Sequence, residues 1–179
     1  MNTEFEVRIL EMDVDKITKK LESLGAVKKF DYLQRRYVYD FMPKQEKKWI
    51  RLRTNGEVTT LTIKDIVSSK IDGTKELEIE VDNFEKTHLI LKELGYHPKG
   101  YQENRRCQYE LDGVEVDIDS WPRIPTYLEV EGKSEKEVYL TLDKLGFDKE
   151  NITTKDVEEI YSDYGYDLEE IESLVFEED

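Results

Sequence analysis

Glu4, Glu6 and Arg8 alternate along the start of the chain, with Phe5, Val7 and Ile9 in the positions between them. In an extended strand that spacing puts the three charges on one face and the three apolar side chains on the other. The same split recurs five times. Arg51 and Arg53 oppose Ile50 and Leu52, and Thr60, Thr62 and Lys64 oppose Leu61 and Ile63. Glu76, Glu78 and Glu80 oppose Leu77, Ile79 and Val81, and Glu115, Asp117 and Asp119 oppose Val114, Val116 and Ile118. Glu129 and Glu131 oppose Leu128 and Val130. Gathered on one surface, these groups have a definite chemistry. Guanidinium and ammonium groups bind phosphate oxygens, and the planar fork of arginine matches them best. Carboxylates cannot touch phosphate directly, but they hold Mg²⁺ or Mn²⁺, which bridges to it and neutralises charge. Acids and bases in one cavity are what a metal–polyphosphate site needs.

Two architectures would carry such faces. One is a two-layer sheet with its charged side wet and its apolar side packed on helices, as antiparallel sheets often are. The other is a sheet closed into a barrel with the charge inside, which also removes exposed edges. Eight extended segments suffice for closure. The bases and acids moreover segregate by strand, whereas a solvated face usually intersperses them. The reading is α+β, mainly β, with a closed eight-stranded antiparallel β-barrel tunnel and flanking helices.

The segments that position these residues follow from periodicity. Extended stretches are expected at 4–10, 27–41, 48–54, 58–66, 75–81, 101–111, 114–119 and 127–131, with Asn55-Gly56 and Asp112-Gly113 as tight turns. Asp13, Asn83 and Ser134 cap three helices that end at Gly25, Gly95 and Gly146, and Ser134 with Glu137 forms a capping box. Two short helical patterns follow, at 155–161 and 167–175. Tyr37 and Tyr39 read as barrel packing, His88 and His97 as structural or exposed, and Trp121-Pro122 as a rigid turn at one tunnel mouth.

Composition narrows the function classes. In 179 residues, 37% are hydrophobic and 11% aromatic, enough for a core. A net charge of −15 argues against a nucleic-acid duplex as partner, and no apolar run reaches membrane-spanning length. The lone Cys107 fits a reducing cytoplasm, and no secretory signal is expected. Two histidines make a histidine-rich zinc site a poor fit, so any metal should be a hard cation on oxygen. The charge is uneven. After Phe147 there are 13 acidic and 2 basic residues, against 29 and 25 before. We therefore divide the chain into a domain at 1–146 and an acidic helical extension at 147–179. The extension's Tyr161, Tyr164, Tyr166, Leu168, Ile171, Leu174 and Phe176 are expected to pack across a tunnel mouth or onto a second subunit in a homodimer.

Glu4-x-Glu6-x-Arg8 at the N-terminus resembles the Glu-x-Glu-x-Lys motif of the CYTH superfamily, the triphosphate tunnel metalloenzymes. The resemblance runs in order through Arg51-Leu52-Arg53, Thr62-Ile63-Lys64, Glu76-Leu77-Glu78, Arg106-x-x-Tyr109, Asp119-Ser120-Trp121-Pro122 and Tyr127-Leu128-Glu129-Val130-Glu131. It implies Mg²⁺ or Mn²⁺ on Glu4, Glu6, Glu129 and Glu131, with Glu4, Glu6 and Arg8 as the catalytic motif. It also implies phosphate contacts from Arg8, Arg51, Arg53, Lys64 and Arg106, with Arg36 and Arg123 as additional ones; Arg105 is weighed between phosphate contact and a surface role. Glu76, Glu78 and Asp119 are implied as tunnel acids. The implied activity is hydrolysis of tripolyphosphate, ATP or thiamine triphosphate, or cyclisation of ATP to cyclic AMP and pyrophosphate as in class IV adenylate cyclases. The alternative is a non-catalytic module that binds polyphosphate or a nucleotide. The chain departs from the motif at Arg8, since arginine stays charged and cannot act as a base. The resemblance also puts Asn104 where many relatives carry another lysine.

Overall fold

The computed structural model describes residues 1–177. Eight strands carry the sheet: β1 (Asn2–Ile9), β2 (Val27–Gln45), β3 (Lys48–Thr54), β4 (Thr59–Ile66), β5 (Thr74–Val81), β6 (Pro98–Leu111), β7 (Val114–Ser120) and β8 (Tyr127–Gly132). Their order is β2-β3-β4-β5-β1-β8-β7-β6, and β6 pairs back onto β2, so the sheet closes on itself. Every one of these ladders is antiparallel. The closing ladder is long, running from Val27 opposite Glu110 to Tyr39 opposite Pro98. Closure turns one parity of each strand inward, and that is the charged one. The barrel reading therefore holds over the open sheet.

The apolar parity faces out and is covered in patches. Helices α1 (Val14–Ser23) and α3 (Glu135–Leu145) lie over β1, β6, β7 and β8, burying Val7, Leu21, Val116, Leu128, Val130 and Val138 completely. Helix α2 (Phe84–Glu93) covers Tyr39, Ile50 and Leu52 of β2 and β3. The outer face of β5 has no such cover, leaving Leu77 and Ile79 half exposed. Each helix starts on its expected cap: Asp13 accepts from the Lys16 amide, Asn83 from that of Lys86 and Ser134 from that of Glu137. The capping box on α3 is shifted, because Glu137 accepts from the Lys133 amide rather than from that of Ser134.

The C-terminal extension folds back onto the barrel. Helix α4 (Val157–Asp163) starts at Asp156, which forms a full capping box with Glu159. The second expected helix is not one. Leu168–Glu170 is a single 3₁₀ turn, and Ser173–Leu174 is a short strand, β9, parallel to β6. Leu168, Ile171 and Leu174 recur every three residues, which a 3₁₀ turn followed by extended chain satisfies better than an α-helix does. Ile160, Tyr161 and Leu174 are buried against Trp121, Ile124 and Tyr127. No helix of the described residues is long and apolar enough to cross a membrane.

Candidate functional site

The barrel encloses a cavity of about 430 Å³. Each strand delivers its polar parity to it. From β1 come Glu4, Glu6 and Arg8, from β3 Arg51 and Arg53, and from β4 Lys64. Glu76 and Glu78 come from β5, Arg36 from β2, Arg106 from β6, and Glu129 and Glu131 from β8. Asp119 of β7 is fully buried beside Arg106. The seven motifs, spread over more than 120 residues of sequence, thus meet in one chamber. Arg105 and Arg123 do not join them. Both are exposed, and Arg105 pairs with Asp31 outside the barrel. Adjacent residues on a strand face opposite ways, so Arg106 inside requires Arg105 outside.

Carboxylates gather around β1 and β8. Glu6 stands opposite Glu131, and Arg8 opposite Glu129. Ligand oxygens of Glu6, Glu129 and Glu131 lie within 4.8 Å of one another. Glu4 is outside that trio and pairs instead with Lys64 at 3.0 Å. Arg8 bridges the trio from one side, with Nη2 at 3.2 Å from Glu6 and 2.6 Å from Glu129, while its Nη1 donates to the Lys155 carbonyl at 2.9 Å. One guanidinium does not neutralise the group. Burial, reinforced by Glu4, Glu129 and Glu6, pushes the Glu131 carboxyl up to about 8. Burial likewise pushes Glu4 up to about 7, against the pull of Lys64. Burial is the largest influence on Glu6 and Glu129 too, but Arg8 and Lys64, joined for Glu129 by Arg106, together outweigh it and hold both below the ordinary carboxylate range. This pole is short of positive charge, and its donors are all oxygen, the set a hard divalent cation takes.

The opposite wall has the reverse imbalance. Arg36 faces Arg53 directly across the β2–β3 ladder, with Arg51 two residues along. Arg51 reaches Glu76 and Glu78 at 3.5 Å, and Arg53 reaches Glu78 at 3.7 Å. Arg36 is the one cavity base with no carboxylate within salt-bridge distance among the described residues. Its Nη2 donates to amide oxygens of Gln34 and Asn104, and its guanidinium lies 4.6 Å over the Trp121 ring. Burial, with Arg51, Arg53 and Arg106 nearby, drags the affinity of Arg36 for its proton well down. The same causes, without an offsetting partner strong enough, lower Arg53 to about 10. This pole is short of negative charge. Asn104, in place of a further base, is fully buried and ties Arg36 to Asp119, to which it donates at 3.2 Å.

Arg106 is the structural counterpart of Arg36. It is shared by Asp117 at 2.6 Å, Asp119 at 2.5 Å and Glu129 at 2.9 Å. Several of these supports fall outside the motifs. Asp117 lies on the acidic face of β7, and Thr74 on inward parity donates to Glu6 at 3.2 Å; Thr62, inside its motif, donates to Glu78 at 2.6 Å. The extension's part had no signal in residue type, since the group Arg8 holds is a backbone carbonyl. Val157, Glu158, Leu168 and Glu169 line the same cavity. At that end Asp156 pairs with Lys47, and Glu169 with Lys44 and Lys99. The extension thus packs across one mouth.

Tyr37 and His88 stack at 4.2 Å on the outside of the barrel, where the Tyr39 hydroxyl meets His88 Nδ1 at 2.8 Å. These aromatics are packing, as their parity required.

The family model of the CYTH domain matches residues 2–157. The structure is similar to the PH1012 protein of Pyrococcus horikoshii, 24% identical with a TM-score of 0.75, over 86% of this chain and 96% of that one. It is similar to an adenylate cyclase candidate from Vibrio parahaemolyticus, 12% identical with a TM-score of 0.76, over 90% and 98%. HpAC1 of Hippeastrum, an adenylyl cyclase candidate described as having a dominant triphosphatase activity, is 16% identical with a TM-score of 0.62, over 92% and 96%. These likenesses are of fold. No curated protein sequence matches the chain.

Proposed function

The chain belongs to the CYTH domain family, and from that premise we propose that it is a Mg²⁺- or Mn²⁺-dependent enzyme acting on a small-molecule triphosphate inside the barrel. One observation carries the reading: a cluster of bases lacking an anion faces a trio of carboxylates lacking a cation, in one enclosed cavity. A metal-bound polyphosphate supplies both charges at once.

Glu6, Glu129 and Glu131 would hold the cation, with Glu4 beside them, and the bound cation would neutralise charge building on the phosphate oxygens. Arg36, Arg51, Arg53, Lys64 and Arg106 would orient the phosphate chain and stabilise its charge as the terminal bond breaks. Glu76, Glu78 and Asp119 keep those bases aimed into the cavity. Arg8 holds Glu6 and Glu129 in place and is not a proton acceptor. Hydrolysis and cyclisation use this same machinery and differ in the nucleophile, water or a ribose 3′-hydroxyl. Triphosphatase activity is the simpler of the two, because it asks nothing of a base-recognition site.

The test is product analysis on purified protein with Mg²⁺ or Mn²⁺ and, separately, tripolyphosphate, ATP and thiamine triphosphate. A Glu6→Gln/Glu131→Gln variant is the blank. Orthophosphate that disappears in the blank establishes a triphosphatase, and cyclic AMP with pyrophosphate establishes a cyclase. Ligand-induced stabilisation with no product would leave a binding module and sink the enzyme assignment.

A further inference from the structure

Two residues that stack on each other and line the cavity each carry a buried donor with no acceptor. Arg36 Nε and Trp121 Nε1 are both withdrawn from solvent, and neither has a hydrogen-bond partner. Both residues line the cavity, and the guanidinium of one stacks on the indole of the other at 4.6 Å. Trp121 is only 4% exposed. Leaving a buried N–H unpaired costs stability, and a phenylalanine would give Arg36 an aromatic face without that cost, though with less volume. The stack alone does not require an indole, since a cation is also attracted to a phenylalanine face.

The position of Trp121 is enforced. Tyr161 of α4 meets the indole edge-on, with centroids 6.2 Å apart, and the Tyr161 hydroxyl donates to the Pro122 carbonyl at 2.6 Å. The C-terminal extension thereby clamps the indole from behind, at the end of the cavity that it covers. A residue kept this rigid, with its one polar atom unpaired beside an arginine that lacks a carboxylate, is suited to an acceptor that arrives with the ligand.

We propose that the Trp121 indole N–H is a ligand-binding donor, which together with Arg36 takes an anionic phosphate oxygen at the extension-covered end of the cavity. The inference rests on the triphosphate reading of the barrel. It adds a specificity residue outside the charged set, and it makes the extension part of the ligand site through Tyr161.

The experiment compares Trp121→Phe with the natural chain by calorimetric titration of tripolyphosphate in Mg²⁺, alongside melting of the ligand-free proteins. Phenylalanine keeps an aromatic face under Arg36 and removes the N–H together with the pyrrole part of the indole, which is why melting is read alongside affinity. Affinity should fall about tenfold, the weight of one hydrogen bond to a charged group, while the ligand-free variant melts no lower than the natural chain. Equal affinity overturns the proposal and leaves the triphosphate reading standing. No binding of tripolyphosphate by the natural chain overturns both. If the variant melts lower, the Trp49→Phe background decides, since it leaves Trp121 as the only fluorophore of its kind. Tripolyphosphate must then shift Trp121 emission, and an unchanged spectrum at saturation overturns the proposal.

Discussion

Arg8 faces Glu129 across the β1–β8 ladder, its Nη2 2.6 Å from the carboxylate, and both side chains are about 7% exposed. The same guanidinium also holds Glu6 and, through its other nitrogen, the Lys155 carbonyl. A lysine's single nitrogen could meet both carboxylates, as Nη2 does, but not the Lys155 carbonyl as well. Removing the charge altogether leaves two buried carboxylates without their main counter-charge. Arg8→Ala should therefore lose about 3–5 kcal/mol of metal-free stability, partly restored by Mg²⁺. Arg8→Lys should lose about 1 kcal/mol, one hydrogen bond's worth, and should speed amide exchange in α4 selectively. Denaturant unfolding and hydrogen exchange read the two effects. An Arg8→Lys protein with unchanged α4 protection would show that the link to Lys155 carries no weight.

Arg36 and Arg106 look alike in sequence and should behave oppositely. Arg106 compensates three buried acids, so Arg106→Gln should cost about 3–5 kcal/mol of stability. Arg36 compensates none and is crowded by Arg51, Arg53 and Arg106. Arg36→Gln should therefore fold as stably as the natural chain or more so, yet bind tripolyphosphate about 10- to 100-fold more weakly, as loss of a charged hydrogen-bonding group does. Melting curves and titration calorimetry on the two variants check the contrast. A destabilised Arg36→Gln protein would mean that this arginine is structural.

Strand parity made the barrel's interior legible, because alternation assigns every residue of a strand to one side once any one is assigned. That is why Arg51, Arg53, Lys64, Glu76 and Glu78 were found by position alone, and why Arg106 enters the cavity while Arg105 does not. Register between distant strands was not legible. Nothing in the sequence places Arg8 opposite Glu129, or Arg36 opposite Arg53, since those pairings depend on how eight strands close. The extension was half legible. Its apolar residues signal packing, but a spacing of three does not separate a helix from a 3₁₀ turn followed by extended chain. The hold of Arg8 on a backbone carbonyl leaves no trace in residue types.

The carboxylates around β1 and β8 give stability a pH dependence that metal should reduce. Glu131 and Glu4 have folded-state affinities for protons raised from 4.5 to about 8 and about 7. The native chain therefore binds protons that the unfolded chain has already released. Stability is present at the acid end of that window and lost as pH rises through it. Glu6 and Glu129, held low, act in the opposite sense and only below the ordinary carboxylate range. In chelator, the melting temperature should fall as pH rises from about 5 to about 8. Mg²⁺ should flatten the curve, and so should Glu131→Gln without metal. A flat profile in chelator would remove the charge-deficit argument for a cation at this trio.

The extension supplies Ile160, Tyr161 and Leu174 to a cluster whose other members, Trp121, Ile124 and Tyr127, belong to the β7–β8 loop and the start of β8. Ending the chain at Gly146 would uncover all three and strip Arg8 of its Lys155 contact. Burying a large apolar side chain is worth about 1.5–3 kcal/mol, so losing three such partners should exceed most of the stability of an ordinary domain. We expect the truncated chain to be poorly soluble, or to melt more than about 10 °C lower. Tyr161→Ala, which removes the ring but keeps the chain, should lose about 3–5 kcal/mol and weaken tripolyphosphate binding in step. A chain ending at Gly146 that keeps its melting temperature and its affinity would show that the extension is an appendage, with the barrel complete without it.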